Sequence, residues 1–328
     1  MKTRFLPALL ATALAAFAAV EEPIDSRFKP TVPDAALGDW AGPAGSHYAA
    51  QVMLDEHGDY QANLLKGFDT ADNFLATLRG QKHGDRITLK GGGWTATIEA
   101  GHLKGGKAGE SLDLQHVTRT PPSLGAPPPA GAVVLFDGKN LDAWANKKGK
   151  EWLVEDGPAP WKIVDGVLEV VPGTGGGIIS HQKFGDCRLH VEFRTLGAPS
   201  NSGVFLQTRY EANINETYGR LDGTPNAGFD NCTGKDAAPR IRATRPPLEW
   251  QTFDIEFTAP RFDASGRKTA SATATVLFNG VKIYDRQVLD LPHGAAGRLG
   301  EAPTGPLMLQ EHGMPVQFRN IWVAPLTP

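Results

Sequence analysis

The residues best suited to chemistry lie between Ser200 and Glu211, where polar side chains alternate with apolar ones. From Gly203 onward, this period of two predicts a β-strand. One face would be apolar, and the other would carry Phe205, Gln207, Arg209 and Glu211. An amide, a guanidinium and a carboxylate behind an aromatic ring suit a groove for a polar ligand. An exposed strand face with a chance Arg–Glu pair is the alternative.

Three other segments also alternate between apolar and polar residues, at 189–194, 307–312 and 316–322. If these strands are neighbours in one curved sheet, their polar side chains share its concave side. The predicted set is His190, Glu192, Gln207, Arg209, Glu211, Gln310, His312 and Arg319. So many ionisable and amide groups on one face predict a ligand site and not a core.

The composition is that of an ordinary soluble protein, with 41% hydrophobic and 21% charged residues. A net charge of -3 argues against general affinity for nucleic acid or for acidic membranes. The 38 glycines and 25 prolines favour an all-β chain with many turns. The oligomeric state does not follow from these features.

The N-terminus is typical of a signal peptide, expected to cover residues 1–18. Lys2 and Arg4 precede an apolar run, and Ala16-Phe17-Ala18 is a suitable cleavage site. The run is short for a membrane span, and no other stretch is long enough for one. We therefore expect an exported protein, periplasmic or extracellular. In that oxidising setting Cys187 and Cys232 could form a disulfide, and two cysteines alone argue against a zinc site.

Turn residues divide the rest of the chain. We expect an extended segment at 19–37, then about six short strands in an accessory domain at 38–119, a small antiparallel sandwich or barrel. A proline-rich linker at 120–131 follows. The second domain, 132–328, shows hairpins at Asp165-Gly166 and Asn279-Gly280. Its strand number favours a jelly-roll sandwich.

Two further segments of the second domain stand out. Residues 173–177 are rich in glycine but lack the Lys-Ser/Thr ending and the helix of a phosphate loop, so no nucleotide cofactor is expected. Residues 213–245 show no periodicity, and a loop of that length next to the candidate groove predicts a lid or a rim.

Several motifs of the second domain resemble the 3-keto-disaccharide hydrolase domain family. They run in order over residues 133–325: Leu135-Phe-Asp-Gly-Lys-Asn-Leu-Asp-Ala-Trp144, Trp161-Lys-Ile-Val-Asp-Gly-Val-Leu168, His190-Val-Glu-Phe-Arg194, Asn201-Ser-Gly-Val-Phe-Leu206, Tyr210-Glu211, Gln310-Glu-His-Gly313 and Phe318-Arg-Asn-Ile321. The resemblance implies a concanavalin-like jelly roll that acts on 3-keto-glycosides, by hydrolysis or by elimination and hydration. The chain departs from the family pattern at residues 212–215, at 232–236 and at Glu311.

A 3-keto sugar as substrate would explain the residue types. The ketone acidifies the C2 hydrogen, so a base can form an enolate and expel the C1 substituent. We predict Glu211 as the base and His312 as base or acid. Arg319 and Arg209 would stabilise the enolate oxygen, a task that a divalent metal ion held by Glu and His could also perform.

The remaining predicted site residues would bind the sugar. Asn201, Gln207 and Gln310 would hydrogen-bond hydroxyl groups, and Trp144 or Trp161 would stack on a ring. Both tryptophans are also plausible core residues.

Two other functions fit the same residues. A conventional glycoside hydrolase of the jelly-roll type would use Glu192 and Glu211 as its two carboxylates. Such enzymes usually carry both acids on one strand, and this chain shows no such pair. A carbohydrate-binding protein without activity would also use aromatic and amide side chains.

Overall fold

The computed structural model describes residues 27–221, 228–229, 241–290 and 298–326, and every helix or strand named in those ranges is a β-strand. The prediction of an all-β chain, with a jelly-roll sandwich after a small barrel or sandwich, is confirmed. In the described ranges no helix is long and apolar enough to cross a membrane. The predicted signal peptide and Cys232 lie outside the described residues, so export and the disulfide stay predictions.

The N-terminal strands close into an antiparallel barrel. A short strand, β1 (Lys29–Pro30), precedes it and pairs with the second domain. The eight barrel strands are β2 (Gly38–Ala41), β3 (Ala49–Leu54), β4 (Tyr60–Leu65), β5 (Phe74–His83), β6 (Arg86–Gly91), β7 (Trp94–Glu99), β8 (His102–Lys107) and β9 (Glu110–Val117). Alternating side chains such as Trp40, Leu78 and Leu89 fill its interior.

Two barrel strands, β2 and β8, escaped the sequence prediction. The β8 sequence contains Gly105 and Gly106, which look like turn residues. Their role is close packing, because a Cβ atom at Gly105 would lie 2.6 Å from the Ala96 Cα. The glycines therefore allow neighbouring strands to approach at a tight bend of the barrel.

One sheet of the second domain has eight strands. They are β10 (Val133–Phe136), β13 (Lys162–Val164), β14 (Val167–Glu169), β16 (Cys187–Thr195), β20 (Gln251–Thr258), β23 (Ala272–Phe278), β24 (Val281–Leu289) and β26 (Val316–Pro325). Both predicted hairpin turns are present, with positive φ at Asp165, Gly166, Asn279 and Gly280. Two small ladders stand apart: β21 (Arg261–Phe262) with β22 (Lys268–Ala270), and β1 with β17 (Gly197–Ala198).

The other sheet has six strands. Their order across the sheet is β12 (Glu151–Pro158), β11 (Trp144–Lys148), β15 (Ile178–Phe184), β25 (Gly305–Leu309), β18 (Asn201–Leu206) and β19 (Tyr210–Asn215). The main core lies between the two sheets and contains Leu189 and Val191 of β16 together with Val204 and Leu206 of β18. Because side chains alternate along a strand, the other residues of each sheet point away from this core and away from the other sheet.

The proline-rich segment, residues 121–129, lies on the outer face of the eight-stranded sheet, and we call it the strap. Ser123 Oγ donates to Asp254 Oδ2 at 2.5 Å, and the Gly125 amide donates to Glu192 Oε1 at 2.5 Å. The Ala126 carbonyl accepts from Asn320 Nδ2 at 2.9 Å. The segment predicted as a linker is therefore held along its length by the second domain.

A buried charge cluster joins the barrel to the second domain. Asp39 of β2 accepts from Arg119 Nε at 2.7 Å and from the Tyr218 hydroxyl at 2.8 Å. Arg119 also donates to Asp69 at 2.8 Å, and Arg245 Nε donates to the Arg119 carbonyl at 3.0 Å. Since Tyr218 and Arg245 lie near the two ends of the long loop at 213–245, these contacts tie both ends of that loop to the barrel and to Arg119.

Arg119→Ala should destabilise the protein strongly. The Asp39 side chain is fully buried, so loss of the guanidinium leaves its charge without its hydrogen-bonded cation, a change that costs about 3–5 kcal/mol. Chemical denaturation gives the free energy of unfolding. Arg86→Ala is the matched control, since the Arg86–Glu99 pair is 3.9 Å apart and exposed, and should cost no more than about 1 kcal/mol. Equal stability of the two variants would contradict this view of the interface.

A second prediction concerns Glu216, which follows β19 and is buried. It accepts hydrogen bonds from the Thr195 hydroxyl and from the Tyr218 amide. Burial raises the pKa of Glu216 to about 7, so the carboxyl takes up a proton on folding between pH 4.5 and 7. Its contribution to stability is complete below pH 4.5 and falls as the pH rises to 7, by about 3 kcal/mol at most.

Glu216→Gln should remove this part of the pH dependence. The amide keeps an acceptor for Tyr218 but does not ionise. The free energy of unfolding should therefore fall less steeply between pH 4.5 and 7 in the variant than in the wild type. Glu256→Gln, at an exposed position of β20, is the control and should keep the wild-type slope. Parallel curves for wild type and Glu216→Gln would refute the assignment.

Candidate active site on the six-stranded sheet

The stretch that we predicted as one strand, from Gly203 to Glu211, is two strands joined by a tight turn. Strand β18 ends at Leu206, which pairs with Tyr210 at the start of β19. Gln207 and Thr208 have positive φ angles of 53° and 59°, and the Arg209 amide donates to the Leu206 carbonyl. Gln207 and Arg209 therefore lie in a turn and not in the groove.

Tertiary hydrogen bonds hold this turn in place. Gln207 Nε2 donates to the carbonyls of Phe184 and Pro303, both at 3.2 Å. The Thr208 hydroxyl donates to the Pro306 carbonyl at 2.9 Å, and Arg209 donates to the Gly300 carbonyl. The amide and guanidinium groups that looked like ligand contacts thus stabilise a left-handed turn.

An apolar row crosses the outer face of the six-stranded sheet. Direct cross-strand pairs connect Ala145, Ile179, Met308, Phe205 and finally Glu211. The first four side chains are buried against one another in a cluster separate from the main core. Glu211 is therefore the polar end of an apolar floor.

The floor is concave. Trp152 of the edge strand β12 contacts Phe205 of β18, with ring centroids 5.7 Å apart and planes at 84°. Four strand spacings separate these two strands, about 19 Å in a flat sheet. Because the rings nevertheless touch, β12 must fold over the outer face, where Trp152 covers part of the floor.

A polar row lies two residues from the floor, at the end of the same strands. The Lys147 amide donates to the Gly177 carbonyl, the Gln310 amide donates to the Gly203 carbonyl, and Gly203 pairs with Asn213. Lys147, Gln310 and Asn213 therefore share this face with Glu211. The other two positions of the row are Gly177 and Gly203, which leave space between the polar side chains.

Glu211 fills one of these spaces. A Cβ atom at Gly203 would lie only 2.9 Å from the Glu211 Cγ and closer still to its Oε1. The carboxylate therefore lies directly over the Gly203 backbone, beside the Gln310 position. Glu211 is 2% exposed, and this arrangement directs a buried carboxylate to the polar row.

Lys147 and Glu311 belong to the same region and were not predicted. Lys147 is buried, contacts the face of Trp152 with its Nζ 5.4 Å from the ring centroid, and donates to the Gly149 carbonyl. Burial lowers the pKa of Lys147, and the nearby Glu311 charge opposes this shift. Glu311 accepts from the Gly176 amide at 3.1 Å. For Lys147 the sequence signal was the glycine run 173–177, which packs against this strand end, and Glu311 stood out only as a departure from the family motif.

The other predicted residues of this region are in place. His312 is exposed in the turn after β25, and Asn201 pairs with Asn215 at the start of β18. Gln310 Oε1 is buried and accepts no hydrogen bond from the described residues. Glu211, Gln310, Asn201 and His312 are thus brought to one end of one sheet.

Glu192, Arg319 and His190 are elsewhere, so the predicted common concave face is wrong. They lie on the outer face of the eight-stranded sheet, where Arg319 Nε donates to Glu192 Oε2 at 2.6 Å and His190 contacts Asp254 at 2.7 Å. Both sheets bury their apolar side chains in the shared core, so their polar faces point in opposite directions. The strap covers Glu192 and Asp254.

These groups stabilise one another. Burial acts to raise the pKa of Glu192, but hydrogen bonds from His190, Asn320, Gly125 and Arg319 hold it at about 2. Burial likewise opposes ionisation of His190, and its bonds to Asp254 and Glu192 outweigh that effect and raise its pKa. Glu192, His190 and Asp254 thus belong to a structural hydrogen-bond network.

Trp144 and Trp161 are core residues. Trp144 donates its indole N–H to the Leu135 carbonyl at 2.8 Å, and Trp161 stacks on Phe318 with centroids 6.1 Å apart. Each is at most 5% exposed, so neither can stack on a sugar ring. Cys187 is also buried in this core, without a disulfide partner among the described residues.

A cleft of about 410 Å³ lies beside β12, the edge strand, and its neighbour β11. Its lining includes Asp142, Glu155 and His181, of which the last two are 2.9 Å apart. The described ranges contain no group of three His, Cys, Asp or Glu side chains placed to hold a metal ion. A divalent metal ion therefore stays a prediction from the sequence.

The predicted lid is described only in part. Residues 216–221 contact the barrel: Asn63 Nδ2 of β4 donates to the Gly219 carbonyl. Phe229 forms a bridge with Ala212, and the Gly228 carbonyl accepts from the Asn213 amide at 3.1 Å. Most of residues 222–240 lies outside the described ranges, so a lid stays a prediction.

Comparison with known proteins identifies the second domain. A family model, described as the 3-keto-alpha-glucoside-1,2-lyase-like domain, matches residues 131–324. A crystal structure of a candidate glycosyl hydrolase from Parabacteroides distasonis ATCC 8503 is 34% identical, covers 60% of this chain and 84% of its own, and has a TM-score of 0.50.

Two further candidate glycosyl hydrolases from that organism also resemble the fold. They are 19% and 21% identical, cover 60% of this chain and 94% and 99% of their own, and have TM-scores of 0.42 and 0.41. No curated protein matches the chain. The family match extends over more than half of the sequence, and the chain therefore belongs to the 3-keto-alpha-glucoside-1,2-lyase-like domain family.

Proposed function

We propose that the protein is an exported enzyme that cleaves 3-keto-glycosides on the outer face of its six-stranded sheet. The family match and the 34% identical candidate glycosyl hydrolase support a carbohydrate-active enzyme. The finer proposal depends on one observation: a buried carboxylate, Glu211, lies over Gly203 beside Gln310, at the end of an apolar floor. Gln310 Oε1, beside this carboxylate, is buried without a hydrogen-bond partner in the described ranges, and a ligand hydroxyl would satisfy it.

In the proposed reaction Glu211 removes the C2 proton of a 3-keto-glycoside. The electron pair of the C2–H bond moves into the C2–C3 bond, and the C3 carbonyl oxygen takes the negative charge. Collapse of this enolate forms the C1–C2 double bond and expels the C1 substituent, which takes a proton from His312. Water then adds across the double bond and gives the free 3-keto sugar. Each step uses general acid or base chemistry.

The stabilising group for the enolate has to be reassigned. Arg209 lies in the hairpin turn and Arg319 on the other sheet, so neither can contact a ligand above Glu211. Lys147 and the Gln310 amide share the outer face with Glu211 and are our candidates. A donor directed at the developing charge lowers the barrier most in a site from which water is excluded.

Glu192 and Glu211 cannot act together as the two carboxylates of a conventional glycoside hydrolase. Glu192 and Glu211 lie on the outer faces of different sheets, with the main core between them. Two carboxyl groups must flank one glycosidic bond within about 5–9.5 Å. This pair cannot meet that requirement.

Glu211→Gln should lower kcat about 10²–10⁴-fold on a 3-keto-glucoside, because the amide keeps the shape and loses the basicity. Turnover by the wild type in D₂O should place deuterium at C2 of the product, detected by NMR. An unoxidised glycoside should not react. Wild-type turnover in Glu211→Gln, with protium retained at C2, would exclude the mechanism and favour hydrolysis or simple sugar binding.

Glu192→Gln tests whether Glu192 belongs to the same site as Glu211. The sequence alone placed both glutamates in one site, whereas the structure separates them. This variant should lower the free energy of unfolding, because Glu192 accepts four hydrogen bonds, yet its folded fraction should keep C2 exchange. Loss of exchange in a folded Glu192→Gln protein would restore the common site.

Gly203→Ala should impair catalysis through Glu211 alone. The added methyl group would displace the carboxylate, and a misplacement of about 1 Å can cost ~10²-fold in rate. Little further loss should follow when Gly203→Ala is added to Glu211→Gln. Gly185→Ala is the matched control, since its Cβ would lie 3.3 Å from the nearest atom, the Pro303 carbonyl oxygen. Additive losses in the double variant would show that Gly203 acts elsewhere.

A further inference from the structure

The outer face of the eight-stranded sheet carries a second polar surface beyond the strap. Trp250, next to the start of β20, has two guanidinium groups against it. The Cζ of Arg319 is 4.1 Å from the indole ring centroid, and the Cζ of Arg194 is 4.7 Å away. Two cations in contact with one indole repel each other, so the arrangement needs compensation from its surroundings.

The protein compensates the Arg194 charge only in part. Burial and the Arg319 charge lower the pKa of Arg194. Glu169 opposes this shift and is itself bonded to Lys162 and Gln317. The Arg194 Nε donates at 2.7 Å to Gln317 Oε1, which is neutral. Arg319 Nε donates to Glu192, whose charge is shared with three other donors. Within the described ranges, no Nη group of either arginine has a hydrogen-bond partner. The four Nη groups of the two arginines are thus available to donate hydrogen bonds to a ligand.

These donors are accessible. The Arg319 side chain is 34% exposed, and Arg194 and Trp250 are half-buried. The neighbouring bonds fix both guanidinium planes at Nε, so the free ends are ordered before a ligand arrives. Preorganised guanidinium groups bind planar or tetrahedral oxyanions through paired N–H bonds.

We propose that Arg194 and Arg319, held against Trp250, form a binding site for the carboxylate, sulfate or phosphate group of a small acidic ligand. The bound oxyanion neutralises the two like charges and accepts hydrogen bonds from their Nη groups. This site lies across the main core from Glu211, and it does not depend on the proposed reaction.

Isothermal titration of the full chain tests the proposal with glucuronate, inorganic sulfate and neutral glucose. Glucuronate should bind and glucose should not, and the glucuronate affinity should fall with added salt. Arg194→Gln should weaken binding about tenfold or more, since it removes a charge-assisted contact. Equal binding of sulfate and glucuronate would identify a general oxyanion site, whereas preference for glucuronate would identify an acidic sugar.

Arg188→Gln is the matched control. Arg188 is exposed on the same strand and face, six residues and about 20 Å away, and its variant should bind as the wild type does. Arg194→Lys, which keeps the charge without the planar fork, should be intermediate, and circular dichroism confirms folding. Glu211→Gln should retain the binding. Failure of glucuronate and sulfate to bind, or unchanged binding in folded Arg194→Gln, would overturn the proposal.

Discussion

The apolar core shared by the two sheets decides which polar side chains can meet. In every strand that contributes to this core, alternate side chains point into it, so the side chains between them must point outward. Glu211 and Glu192 are each on the polar side of a strand, but the core lies between them. A single curved sheet would have joined them. The pairing order instead assigns β18 and β19 to one sheet and β16 and β26 to the other.

The two outer faces differ in what completes them. On the eight-stranded sheet, the strap supplies the missing partners: the Gly125 amide for Glu192, Ser123 for Asp254 and the Ala126 carbonyl for Asn320. A buried network of this kind is stable only when each polar atom is satisfied. The strap continues from the barrel through Arg119, whose contacts with Asp39 and Asp69 anchor it. The barrel therefore has a structural role in closing this face.

Local patterns predicted the elements better than their arrangement. The Asp-Gly and Asn-Gly hairpins and the alternating strands followed from propensities that act over a few residues. The turn at Gln207 did not, because it contains no glycine or proline and depends on carbonyls of Phe184, Pro303 and Pro306, remote in sequence. Because the turn leaves no local signal, the alternation of apolar and polar residues continues in the sequence through Arg209, which is why one strand was predicted. Lys147 was missed for the same reason, since only strand pairing brings it into the row that contains Gln310.

The six-stranded face is left incomplete by the described residues, and that is the strongest argument for a ligand there. Gln310 Oε1 is buried without a hydrogen-bond partner in the described ranges. An unsatisfied buried acceptor costs about 1–3 kcal/mol, and such groups are rare in native structures. A sugar hydroxyl that donates to this oxygen would satisfy it and would lie beside the Glu211 carboxylate, which itself occupies the space over Gly203.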